Sequence, residues 1–295
     1  MVDIGFNTSD LPKTPQRRVV ELIRKSPESA VRLLVRIARL HPGMVSELLT
    51  KRVARRNDSD DLKPRVGSTV PDTSPTKHAR LLELAMKRKS ARRPPHRGIG
   101  EYHNGYYECD HVSPYTKSAG NVNADVFVML QDWSSDSWLK THRDAEVRRL
   151  GLARSLPTNK WLERLLCKHL GKSLADVYAT NLFPLVKMGN LDRDIPQRDL
   201  VWAAQEFAIP QVKIVAPKLV ICLGVQTFNA MRRACGERLV QNIDEGLEKS
   251  FKLGGAQIWC QSHPGGRGRA TRNAGDVDRV AEDWKKMREA YDKLA

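Results

Sequence analysis

From about residue 99 onward the apolar residues fall into four short, nearly continuous runs: ADVFVML (124–130), DVYATNL (176–182), KLVICLG (218–224) and AQIWCQ (256–261). Runs of this length, rich in Val, Ile and aromatics, predict strands buried on both faces, the pattern of parallel sheets. Between them the apolar spacing lengthens to that of helices, in NKWLERLLCKHLG, QRDLVWAAQEFAIPQVKIVAP, VQTFNAMRRACG and DVDRVAEDWKKMREAYDKL. Strand and helix therefore alternate, which predicts an α/β protein: an α/β/α sandwich around a four-stranded, mostly parallel sheet.

Upstream the pattern differs. Val31, Leu34, Val35 and Ala38 recur at i, i+3, i+4 and i+7, with Arg32, Arg36 and Arg39 projecting elsewhere. Short amphipathic helices with an arginine-rich outer face follow from that spacing, punctuated by Ser-Pro and His-Pro-Gly. Residues 57–76, NDSDDLKPRVGSTVPDTSPT, are rich in Pro, Ser and Asp and read as a linker. A further helix, TKHARLLELAMKRKSARR, ends at PPHRG. The expected organisation is an N-terminal basic α-helical accessory domain over residues 1–98, with its linker near 57–76, and an α/β domain over residues 99–295.

Charge sharpens this division. The 295 residues carry a formal charge of +16. Residues 1–100 hold 22 Lys and Arg against 10 Asp and Glu, a balance of +12, which leaves +4 for the rest. A polyanion is the expected partner of the front, and DNA or RNA is the commonest one. No apolar run is long enough to span a bilayer and the first residues have no hydrophobic signal core, so a cytoplasmic monomer that avoids membranes is expected. The five cysteines are odd in number, widely spaced and without a C-x-x-C pair. They predict reduced thiols in the core, with no metal and no cofactor.

In an open parallel sheet, ligands gather at the carboxyl ends of the strands. The first run delivers Gln131 and Asp132 there, the second Thr180 and Asn181, the third Gly224, and the fourth Ser262, His263 and Pro264. An acid, an amide and an imidazole are thus expected to converge on one rim from three separated segments. No Gly-x-Ser-x-Gly surrounds Ser262, which argues against a serine nucleophile, and no Gly-Lys-Ser/Thr marks a phosphate loop.

These segments, in this order, resemble the uracil-DNA glycosylase superfamily. LQDWS resembles the family's first motif, whose aspartate orients the hydrolytic water and stabilises the sugar cation. YATNLFPLVKMGN resembles the segment whose asparagine reads the base edge, and APKLVICLGVQTF its proline, strand, glycine and helix segment. QSHPGGRGR is similar to the terminal His-Pro motif, whose histidine contacts the base and whose loop enters the duplex. The resemblance covers about residues 99–295 and implies a monofunctional DNA glycosylase. Its catalytic residues would be Asp132 and His263. Gln131, Asn181, Ser134 and Trp133 would bind the base, and Arg267, Arg269 and Arg272 would grip DNA. The chemistry demands these types: an oxocarbenium-like sugar calls for an anion, a departing base calls for donors, and a stacked target must first be flipped out. Phe127, Trp133 and Trp138 are all candidates to stack on the base.

Two departures from the family pattern bear on substrate. Trp133-Ser134 stands where the best-known branch has Pro-Tyr, and that tyrosine excludes substituents at C5 of the pyrimidine. A serine there implies room for a 5-substituted pyrimidine. The reading resembles a phage-defence branch that removes glucosylated hydroxymethylcytosine; uracil remains the other candidate. Leu130 replaces the first motif's glycine, which suggests as an alternative an inactive nucleic-acid-binding protein on the same fold. An unrelated nucleotide-binding enzyme is the third reading.

Overall fold

The computed structural model describes residues 75–273 and 277–294. The expected helices of the basic front before residue 75, and all but the end of the expected linker, lie outside these residues. The described elements run in chain order as α1 (Lys77–Ser90), β1 (Val126–Leu130), α2 (Asp136–Thr141), α3 (Ala145–Leu150), α4 (Pro157–Leu170) and β2 (Tyr178–Asn181). They continue with α5 (Gln197–Ala203), a π-helical turn (Ala204–Ala208), α6 (Ile209–Val215), β3 (Leu219–Leu223) and α7 (Val225–Ala234). The last are α8 (Ile243–Glu248), β4 (Phe251–Leu253), β5 (Ala256–Gln261), α9 (Gly266–Arg272) and α10 (Arg279–Asp292).

The five strands form one sheet in the order β2-β1-β3-β5-β4. All pairings are parallel except that of β4 with β5. The α/β architecture and the four expected strands are present, each within two residues of its expected position. The fifth strand, β4, corrects the expected count of four. It has three residues, Phe251 to Leu253, and folds back on β5 through the turn at Gly254, whose φ is +59°. Three residues with one buried side chain carry too little periodicity to be read from sequence.

Every residue of β1 and β3 is buried, and alternate side chains enter two different cores. Phe127, Met129, Val220 and Cys222 pack beneath Leu200, Ala204, Val212, Phe228 and Met231 of α5, the π turn, α6 and α7. Val126, Val128, Leu130, Leu219 and Ile221 pack on the opposite face against Leu162 and Leu166 of α4 and Trp284 of α10. Period-two alternation across a sheet covered on both sides is the reason the sequence shows unbroken apolar runs. Each such side chain contributes about 1.5–3 kcal/mol through its burial.

Helix α1 belongs to the same compact unit, Thr73–Ala295. Thr76 caps its first turn by accepting from Ala79 N at 3.3 Å. Lys77 Nζ donates to the carbonyls of Val122 and Val215, at 3.2 and 2.7 Å. Arg88, 1% exposed, donates to the carbonyls of Cys109 and His111 and pairs with Glu108 at 2.6 Å. Among the described residues no helix is long and apolar enough to cross a membrane.

The topology also fixes where a ligand would sit. The chain leaves β1 for β2 on one side and re-enters as β3 on the other, so the connections diverge at the carboxyl ends of β1 and β3. That divergence opens the crevice in which open α/β sheets bind their ligands.

Candidate active site

Leu130 closes β1 in register with Asn181, the last residue of β2. The two segments stay joined past the strands, where Leu182 N donates to Leu130 O at 2.7 Å and Phe183 N to Gln131 O at 2.8 Å. Asp132 and Asn181 therefore issue from adjacent strand ends. Leu130 has no positive φ, and its side chain fills the core beneath α4 and α10. The replaced glycine of the first motif thus places no strain on the backbone here.

Asp132 lies 3.1 Å from Lys187 Nζ through Oδ2 and accepts at Oδ1 from Gln131 Nε2 at 3.4 Å. Burial raises its carboxyl pKa above the usual range, while Lys187, His263 and Gln131 act to lower it. His263 follows β5, which is tied to the end of β3 by Gly224 N donating to Gln261 O at 2.7 Å. Burial lowers the imidazole pKa and the Asp132 charge opposes that shift, so the two side chains lie within electrostatic reach. His263 Nδ1 accepts from Gly265 N at 3.1 Å. In the neutral ring that bond leaves the proton on Nε2.

The glycines of HPGGRGR have a steric reason. A Cβ at Gly268 would stand 2.4 Å from His263 O, and one at Gly265 would stand 2.9 Å from His263 Nδ1. Only bare backbone lets the chain wrap this closely around the imidazole.

Asn181 is 1% exposed. Its Oδ1 accepts from Ser113 Oγ at 2.6 Å, and Ser113 Oγ itself accepts from Tyr115 N at 3.2 Å. The Nδ2 amine has no partner among the described residues. Ser134 is buried in a strap that runs beside the segment after β2, where Asp136 N donates to Lys187 O at 2.8 Å and Ser135 bridges Lys187. Tyr102 OH donates to Asp136 Oδ1 at 2.8 Å and fixes the same residue through its side chain.

The aromatic candidates separate. Phe127 is sealed in the core against Tyr178, with ring centroids 4.9 Å apart. Trp133 is pinned by Nε1 donating to Gly151 O at 2.7 Å and meets Tyr107 edge-on at 5.5 Å. Trp138 stacks in parallel on His142 at 5.0 Å.

The three arginines of α9 separate as well. Arg272 forks onto Asp283 at 2.6 and 2.9 Å and reaches Asp244 at 2.6 Å, so its cation is already neutralised. Arg269 lies over the ring of Trp161, 3.3 Å from its centroid. Arg267 is exposed and has no ion pair among the described residues. No group of three or more potential metal ligands occurs among the described residues, and all five cysteines are free.

Sequence reasoning assigned no role to two residues at this rim. Lys187 stood within the second motif, and a lysine in the run PLVKM signals burial against a partner. Ser113 lies outside every motif and had no such signal.

Fold and rim together define a three-layer α/β protein with a partly buried carboxylate, an amide and an imidazole along one carboxyl edge. The family model of the uracil DNA glycosylase superfamily matches residues 107–293, well over half of the chain, and the chain belongs to that superfamily. Its members act on DNA and are typically DNA glycosylases. No curated protein matches the chain.

Proposed function

We propose that this protein is a DNA glycosylase that flips a pyrimidine out of the duplex and releases it by water attack, leaving an abasic site. The observation that carries the reading is the largely buried Asp132 carboxylate, issuing from the end of β1 beside Asn181 at the end of β2, in a chain that matches the superfamily model. Asp132 holds its negative charge beneath the sugar, where it stabilises the oxocarbenium-like transition state and orients the water. His263 donates its Nε2 proton toward the negative charge growing on the departing base. Asn181 offers its amine to an acceptor on the base edge, with Gln131 beside it. Trp133 holds the wall from behind, and Arg267 and Arg269 grip phosphates.

Ser134 bears on the substrate. A small buried side chain, where the resemblance expects a tyrosine, leaves the C5 side of the pyrimidine open. That favours a 5-substituted cytosine, up to a glucosylated hydroxymethylcytosine, and with it a role in defence against phage; uracil is the competing substrate. The test is incubation with uracil DNA, ordinary DNA and phage DNA carrying glucosylated cytosines, with mass spectrometry of the released base. Release of one modified base, abolished in Asp132→Asn, supports the reading. Duplex binding by both proteins with no base released from any DNA refutes it, and leaves a DNA-binding protein on the same fold.

A further inference from the structure

Lys187 helps to keep Asp132 ionised, but its amine takes no direct part in hydrolytic base release. Its side chain is 6% exposed, and its Nζ is held between Asp132 Oδ2 at 3.1 Å and the carbonyl of Leu191 at 2.5 Å. Its backbone is fixed as well, because its carbonyl accepts from Asp136 N across the strap. The amine is therefore positioned from two directions beside the carboxylate proposed to face C1′ of the sugar. A cation beside C1′ also opposes the positive charge that develops on the sugar, so the ion pair alone does not account for an amine at this place. The product of excision offers a different partner. An abasic sugar opens to an aldehyde at C1′, and a lysine amine condenses with carbonyls to form an imine.

We propose that Lys187 captures the C1′ aldehyde of the abasic product as an imine, which adds a strand-cleaving lyase activity to the glycosylase. The inference rests on the glycosylase reading for the identity of the site. In the first step the Lys187 ammonium passes a proton to the Asp132 carboxylate. The neutral amine then adds to C1′ through its lone pair, and a proton moves from nitrogen to the former carbonyl oxygen. The proton held by Asp132 converts that hydroxyl into departing water and leaves an iminium on Lys187. Asp132, again a carboxylate, accepts a proton from C2′. The released electron pair expels the 3′ phosphate, and hydrolysis of the imine returns the amine.

The test uses the full chain and duplex DNA carrying a preformed aldehydic abasic site, so it does not depend on which base is excised. Sodium borohydride reduces the iminium and locks protein to DNA. The expected result is a covalent complex whose adduct maps by mass spectrometry to Lys187, with none formed on a tetrahydrofuran analogue that lacks the aldehyde. The complex should vanish in Lys187→Arg, which keeps the cation, and in Lys187→Gln, with folding of both verified by circular dichroism. Peptide mapping on the wild-type protein decides the matter even where a variant fails to fold. An adduct on another amine, or none under conditions where the protein retains the abasic duplex, overturns the inference and leaves base release intact. Failure to retain abasic or substrate DNA at all removes the glycosylase reading together with it.

Discussion

Asp132 has to carry a negative charge where little water can support it, and the surrounding groups offset burial only in part. The reaction requires the carboxylate, so activity is lost as pH falls through its raised pKa. A plot of kcat/KM against pH should therefore show an acid limb above the ordinary carboxylate range; a limb within that range, or none, contradicts the assignment. His263 acts in the same direction, because its lowered pKa keeps the ring neutral until the pH drops below the usual imidazole value. Stability responds with opposite signs at these two residues. The fold binds a proton on Asp132 more readily than the unfolded chain does, so acidification through that pKa favours the folded state there. The neutral His263 stabilises the fold above its unfolded pKa, and that contribution is lost as pH falls. Asp132→Asn should lower the rate of base release by about 10²–10⁴-fold, read in single-turnover assays.

At the scale of elements, the turn after β5 is shaped by what it cannot contain. Gly268→Ala would press a methyl into the His263 carbonyl. It should cost about 1–3 kcal/mol in denaturant unfolding, as overpacking does, and depress base release through a displaced imidazole. The helix that follows, α9, divides its arginines between structure and surface. Arg272 and Asp283 are both largely buried, at 10% and 9% side-chain exposure, and their fork ties α9 to α10. Arg272→Ala should lower stability by about 3 kcal/mol, the range for a broken buried pair. Arg267→Ala should leave stability unchanged and reduce the salt slope of DNA binding by about 1. Equal stability losses in the two variants would contradict this division. In α4, Leu162→Ala should cost about 2–5 kcal/mol, since the side chain is fully buried against the sheet.

For the whole molecule, the basic balance lies in the front third of the sequence, where residues 1–72 carry a net +5 and residues 73–100, within the unit that carries the rim, a net +7. We propose that this front supplies phosphate contacts that raise the duplex concentration at the site. A chain beginning at Thr73 should then bind random duplex with a shallower dependence of affinity on salt than the full chain, in titrations across a salt series. An unchanged slope removes the front from the DNA interface. A chain beginning at Gly98 should in addition be less stable, because it loses α1 with the buried Arg88 and the ties from Lys77.

The alternation of apolar runs with helical spacing determined the layered α/β architecture, because a strand covered on both faces must be apolar throughout and a helix covered on one must not. The order of motifs also determined which residues stand at the strand ends, since Asp132, Asn181 and His263 each lie within two residues of a run that could only be a strand. Tertiary structure alone decided the partners. Lys187 at the Asp132 carboxylate, Ser113 at the Asn181 oxygen, Arg272 turned into a structural fork and Phe127 sealed in the core are all set by contacts between segments distant in sequence. Periodicity records whether a side chain faces a core, but it cannot record which remote group meets it there. The three-residue β4 escaped for a related reason, since its pairing with β5, rather than its own pattern, makes it a strand.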